Sequence, residues 1–138
     1  MFDMIPSNGD DAPPALDVIL DVPRPGAAVL TVAGEVDTIT ASHLGVALGR
    51  LLDEPADVLV ADLTGITFLA SSGLAVLIQA AARADDTGRR LRLVASGRQV
   101  RRPLEITGTD QLFDLYDDRT SAGLTESGAP GQPGADRD

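Results

Sequence analysis

Apolar and polar positions alternate along the chain in two periods. Residues 16–22 (LDVILDV) and 27–33 (AAVLTVA) carry strand patterns around a turn marked by Pro23, Pro25 and Gly26. Over residues 41–53 the period changes: Leu44, Leu48, Leu51 and Leu52 fall at helical spacing and predict a helix with one apolar face. Residues 57–63 (DVLVADL) are a short apolar run of the kind found in a buried central strand. A second helix is predicted from the Ser71-Ser72-Gly73 segment to about Gly88, with Leu74, Leu77, Ile78 and Ala81 on one stripe. Residues 91–95 predict a strand, 97–107 a third helix, 112–116 a last strand and 119–124 a short final helix. Pro103 conflicts with the third helix. It requires either a helix start near Arg102 or a kink, because proline removes a backbone hydrogen bond and clashes with the preceding turn. Repeated βα crossovers imply an α/β fold, a mixed but mostly parallel sheet of four to five strands with helices packed on it.

Composition narrows the chemistry. The 138 residues suit one domain, and 43% hydrophobic with 23% charged residues is a globular balance. Residues 1–14 and 125–138 are rich in Pro, Gly and Asp and read as a flexible acidic N-terminal arm and a disordered C-terminal tail around a domain spanning 15–124. The chain contains no cysteine and one histidine, which excludes thiolate metal sites and thiol nucleophiles and leaves little for imidazole chemistry. No cofactor and no metal site is expected. The net charge is −10, with all basic residues Arg, which argues against nucleic acid and anionic membranes as partners. No apolar run reaches transmembrane length and no signal peptide is evident, so a cytoplasmic protein is expected.

The stretch Asp62 to Leu74 (DLTGITFLASSGL) carries the most specific pattern. A buried strand ends at Asp62-Leu63, and Thr64-Gly65 reads as a turn in which the Asp62 carboxylate accepts backbone N–H bonds. The segment Ile66 to Leu69 then pins the loop to the core. Ser71 and Ser72 open an apolar helix, where a serine serves either as an N-cap or as a place to carry phosphate; spacing alone favours the cap. Other constellations are weaker. His43 reads as a solvent-exposed helical residue. Asp85-Asp86 and Asp117-Asp118 lack the ligand spacing of a calcium loop. The seven Arg of residues 83–102 read as a solvated basic patch, and Ser71 lacks the glycine of a nucleophile elbow.

The same stretch resembles the signature of STAS domains, the fold of bacterial anti-sigma factor antagonists. The matching residues are Asp62-Leu63, Phe68-Leu69, Ser71, Ser72, Gly73 and Leu74. Gly34-Glu35-Val36-Asp37 resembles a second family motif, and residues 91–118 resemble the family's closing strand–helix–strand. The resemblance implies a non-enzymatic transcription regulator, a phosphoprotein that binds an anti-sigma factor serine kinase and so frees a sigma factor. The kinase would switch it off by phosphorylating Ser71, and a serine phosphatase would reset it. The implied contact surface comprises Gly34, Glu35, Asp37, Thr38, Ser71, Ser72, Gly73, Ala75 and Gln79. A monomer or weak dimer is expected. One position departs from the pattern: Ala70 stands where the family carries Asp beside the acceptor serine. That departure keeps a second reading open, a STAS scaffold or ligand-sensing module without phosphorylation. Restoring Asp at position 70 is expected to speed phosphorylation and to change stability little.

Overall fold

The computed structural model describes residues 16–124; the two terminal segments, called an arm and a tail above, lie outside the described residues. Strand β1 (Asp17–Arg24) runs antiparallel to β2 (Ala27–Val36), around a turn that holds Gly26 at φ +85°. Helix α1 (Ala41–Leu52), strand β3 (Val58–Leu69), helix α2 (Ser71–Asp86), strand β4 (Leu91–Val94), helix α3 (Arg98–Thr107), a 3-10 turn (Thr109–Leu112) and strand β5 (Asp114–Tyr116) follow. The five-stranded sheet has the order β1-β2-β3-β4-β5, with every pair after the first parallel. This is the α/β architecture expected from the alternating periods.

The two faces of the sheet are covered differently. On one face Ala28, Leu30, Val32, Leu59, Ala61, Leu91 and Leu93 pack against the apolar stripes of all three helices, including Leu44, Leu48, Leu77 and Leu104. Burying each such Leu is worth about 1.5–3 kcal/mol. The opposite face carries a smaller cluster of Ala27, Val29, Val60 and Val94, closed by Ala122 and Leu124. Residues 119–124 form turns rather than the expected short helix. Arginines bolt this segment down: Arg24 donates to the Gly123 carbonyl at 2.8 and 3.1 Å, and Arg92 donates to the Ala122 carbonyl at 2.7 Å.

Two further expectations are corrected. Of the two readings of Pro103, the late start near Arg102 is overturned: helix α3 begins at Arg98 and Pro103 sits inside it. Its position is tolerated on a short helix that buries only Val100 and Leu104. Strand β3 does not end at Leu63. It continues through Thr64 and Gly65 to Leu69, and its pairing with β2 absorbs two register shifts, between Thr31 and Ala33 and between Gly34 and Glu35. At the first shift the chains touch. A Cβ on Gly65 would lie 2.8 Å from the Ala33 Cβ, so only glycine fits there.

Candidate functional site

The extension of β3 carries the Asp62–Leu74 signature to one end of the sheet. Glu35 pairs with Phe68 and Val36 with Leu69, and the Ala70 amide donates to the Val36 carbonyl at 2.8 Å. The end of β2 and the start of α2 are thus a single patch. Gly34, Glu35 and Val36 belong to the strand, and Thr38 to the turn that follows. Gly34 takes φ +120° at the shift.

Gly73 holds the two elements in contact. It is buried, and a Cβ there would lie 2.4 Å from Val36 Cγ1 and 2.8 Å from Leu69 Cδ1. The glycine therefore lets α2 start directly against β2.

The first turn of α2 is open. The N-cap position is Ala70, extended at φ −80° and ψ 166°, and no side chain caps the helix. This corrects the expectation of a serine cap: Ser71 is the first helical residue, and its hydroxyl is exposed. One extra β-type hydrogen bond, from Ala70 to Val36, moves the cap position one residue back, onto a side chain that cannot accept. The Ser72 hydroxyl is buried without a partner among the described residues. No acidic residue occupies this turn, so the positive end of the helix dipole is uncompensated. Ala75 and Gln79 lie one and two turns further on the same exposed stripe as Ser71.

The other candidate residues divide by role. Asp37 works locally. Its Oδ1 accepts the Ile39 and Thr40 amides, both at 2.9 Å, while Thr40 Oγ1 accepts the Asp37 amide at 2.9 Å and donates to the Glu35 carbonyl at 2.8 Å. This reciprocal pair closes the turn that leads into α1, whose own N-cap, Thr40, makes no side-chain cap bond. The Thr40 amide, foremost, holds the Asp37 carboxyl below its ordinary value. Glu35 and Thr38 are exposed beside it, as is His43 further along α1.

Asp62 is buried on the opposite face, where Oδ1 accepts the Thr64 amide at 3.1 Å and the Thr64 hydroxyl at 2.8 Å. Its Oδ2 takes Arg119 Nε at 2.6 Å, and Arg119 also donates to Thr31 Oγ1 at 2.5 Å. Burial alone would raise the Asp62 carboxyl; the Arg119 and Thr64 hydrogen bonds outweigh it and hold it low. The Thr64 contact follows from the local pattern, whereas Arg119, 57 residues away, leaves no local signal.

Two exposed apolar residues lie at the patch: Ile39, which the sequence did not single out, is 62% exposed, and Phe68, expected within a segment pinned to the core, is 51% exposed while Ile66 and Leu69 are buried. Phe68 also lines a groove of about 460 Å³ between the end of β3 and α3, with Thr67, Leu69, Arg98, Arg102 and Ile106. Among the described residues no group of acidic or imidazole side chains forms a metal site. No helix there is long and apolar enough to cross a membrane.

A five-stranded sheet with three helices on one face and the Ser71 turn at one end is the arrangement of STAS domains, and the STAS domain profile matches residues 19–122. The chain belongs to the STAS-domain family. Among curated proteins it is similar to the anti-sigma-F factor antagonist RsfB of Mycobacterium tuberculosis, 39% identical over 93 residues that cover 66% of this chain and 74% of RsfB. Among solved structures it is similar to an anti-sigma factor antagonist from Mycobacterium paratuberculosis, with 34% identity and a TM-score of 0.70 over 80% of this chain and 93% of that one. The Bacillus cell fate determinant SpoIIAA in its phosphorylated form shares the fold at 12% identity, with a TM-score of 0.59 over 76% and 96% of the two chains.

Proposed function

We propose that this chain is an anti-sigma factor antagonist whose contact surface is the patch formed by the end of β2 and the first turn of α2, and whose affinity is switched by phosphorylation of Ser71. It acts by binding and not by catalysis. The anti-sigma factor is a serine kinase, and a serine phosphatase restores the unmodified form. The similarity to two mycobacterial antagonists supports the class. The observation that carries the switch is the exposed Ser71 hydroxyl at the uncapped start of a helix.

The physical consequences follow from that position. Transfer of the γ-phosphoryl of ATP to Ser71 Oγ displaces the hydroxyl proton and releases ADP. The resulting dianion sits at the positive end of α2, where the Ser71 and Ser72 amides have no intrahelical acceptor. It does not melt the helix, so the effect must be local. In the unmodified state, Phe68 and Ile39 supply apolar contact around a small, neutral centre. A phosphate at that centre adds bulk and places a charge in a desolvated interface, at a cost of several kcal/mol.

The test uses the cognate anti-sigma factor with ATP, intact mass, and two variants. Ser71→Ala should retain the partner and acquire no phosphate, while Ser71→Glu should lose the partner. If Ser71→Ala is still phosphorylated at wild-type stoichiometry, the acceptor is another residue. If the wild type binds the partner but gains no phosphate, the phosphorylation-free scaffold reading, which Ala70 favours, replaces the switch.

A further inference from the structure

The seven arginines of residues 83–102 are not one patch. Arg89 donates to the carbonyls of Leu52, Glu54 and Ala56, and Arg92 to that of Ala122. Arg90 and Arg101 pair with Asp114 and Asp117. Arg98 and Arg102 are exposed and make no ion pair among the described residues. They stand with Pro103 and Ile106 on the face of α3 that lines the groove shared with Phe68. That face breaks three local rules. Arg98 is the first residue of α3 and no acid occupies the first turn, so a cation sits at the positive end of the helix dipole. Pro103 removes a backbone donor inside the helix. Ile106 is 70% exposed, while Val100 and Leu104 serve the core. Choices that cost the helix and add nothing to the core, gathered on one face, mark a surface shaped for a contact outside the chain.

We infer that this groove is a second docking site for the anti-sigma factor, which fills it with an acidic, apolar segment; the inference rests on the antagonist reading above. Charge selects the occupant. A protein of net charge −10 repels acidic segments over most of its surface, and two guanidinium groups without internal partners make a local exception. Spacing selects it further. At about 1.5 Å per residue, Arg98 and Arg102 are about 6 Å apart along α3, and Ile106 lies another 6 Å on. Two carboxylates on successive turns of a partner helix match that interval, and an apolar side chain one turn further would lie against Ile106 and Phe68. The groove is continuous with the Ser71 patch: Phe68 pairs with Glu35 of β2, and Leu69, which also lines the groove, is two residues from Ser71. A protein segment suits it better than a small molecule. Its apolar walls are open, and a small ligand needs most of its own surface enclosed, whereas a protein brings the neighbours that close the site. The two sites then divide the work. Phosphate acts at Ser71, and the groove sets which anti-sigma factor is accepted.

The test is an NMR titration of isotope-enriched full-length protein with the unlabelled cognate anti-sigma factor, joined to binding kinetics of variants. Amide signals of residues 67–69 and 98–107 should be perturbed together with those of 71–79. Arg102→Glu should weaken binding at least tenfold, chiefly through a slower association rate that depends less on salt. Ile106→Ser, at an exposed position, should weaken it at least fivefold with unchanged thermal unfolding. Arg50→Glu, an equal charge reversal in the last turn of α1, should change affinity less than twofold. Perturbation of 71–79 alone, with both groove variants binding like the wild type, would overturn the groove site and leave the antagonist reading standing. An equal loss in Arg50→Glu and Arg102→Glu would reduce the effect to net charge and also overturn it. No perturbation anywhere would overturn both readings. Concentration-dependent shifts of 98–107 in the protein alone would assign the groove to a second copy instead.

Discussion

Helices α1 and α2 begin at the same end of the sheet, and they begin in opposite ways. The turn before α1 is closed by Asp37 and Thr40, which satisfy each other's amides and anchor to the Glu35 carbonyl. The first turn of α2 has an alanine at the cap, an exposed serine after it and a buried serine hydroxyl with no partner among the described residues. Neither N-cap residue makes a side-chain cap bond. What α1 has and α2 lacks is a turn ahead of it closed by side-chain hydrogen bonds, each worth about 1 kcal/mol. The difference separates a helix start held by side-chain hydrogen bonds from one held by packing alone, and the proposed contact surface rests on the second. What keeps the open start in place is packing, through Gly73 against Val36 and Leu69.

The contrast can be broken most strongly at that packing contact. Gly73→Val should cost about 3 kcal/mol in urea unfolding, because its side chain would need space already filled by Val36 and Leu69. A glycine of α1 should respond with the opposite sign. A Cβ on Gly45 meets Val76 at an ordinary 3.5 Å, so Gly45→Ala should stabilise by about 0.5–1 kcal/mol through helix propensity. If both substitutions destabilise equally, close approach is not what selects Gly73.

The start of α1, behind its hydrogen-bonded turn, should be the more fragile to polar deletion. Thr40→Val keeps the shape but removes the hydroxyl's bonds to the Asp37 amide, the Glu35 carbonyl and the Asp37 carboxylate, and should cost about 1–2 kcal/mol because Thr40 is buried. Ser71→Ala, at an exposed hydroxyl with no recorded bond, should change stability by less than about 0.5 kcal/mol. Comparable losses would erase the distinction between the two starts.

Ala70→Asp converts the open start into a capped one. It should stabilise by about 1 kcal/mol, since the new carboxylate can accept a first-turn amide of α2 and lies at the positive end of the dipole. This revises the view of the position drawn from the sequence, where Asp was expected to orient the serine hydroxyl at no gain in stability. Unchanged thermal unfolding would show that the N-cap assignment of Ala70 has no energetic weight.

Acid should produce the smallest and most local difference. The Asp37 carboxyl is held below its ordinary value of 3.8, first by the Thr40 amide, so its contribution is present above that value and is lost as pH falls through the lower folded one. The start of α2 has no carboxylate to protonate. Amide shifts of residues 39–44 should therefore move on acidification before those of 71–76, and Asp37→Asn should abolish the early movement. Simultaneous movement of both segments would indicate global rather than local loss. Asp62 obeys the same sign, because its carboxyl is also held low, against burial, by Arg119 and Thr64.

The parts of the molecule legible in the sequence are those set by local periodicity. The helical stripe through Leu44, Leu48 and Leu51 and the apolar run of residues 58–61 read directly as α1 and the buried half of β3. Thr64-Gly65 misled because polar residues beside glycine usually turn the chain, whereas here Asp62 satisfies the Thr64 amide and a register shift lets the strand continue. That continuation moved the helix cap onto Ala70 and brought Glu35 against Phe68, and neither is readable from spacing. The residues 119–124 segment misled for a different reason: its conformation depends on Arg24, Arg92 and Asp62, which lie 30–99 positions away. At the candidate site, the proximity of the Gly34–Thr38 and Ser71–Gly73 motifs came from family resemblance, while the exposed Ile39 and Phe68 required the fold.

The central claim is that one modification at the open start of α2 controls partner binding. Titration of the cognate anti-sigma factor with the unmodified protein and with protein phosphorylated only at Ser71 tests it directly. A dissociation constant at least about 100-fold weaker for the phosphorylated form is predicted, corresponding to roughly 3 kcal/mol at the interface. Equal affinities for the two forms would contradict the account.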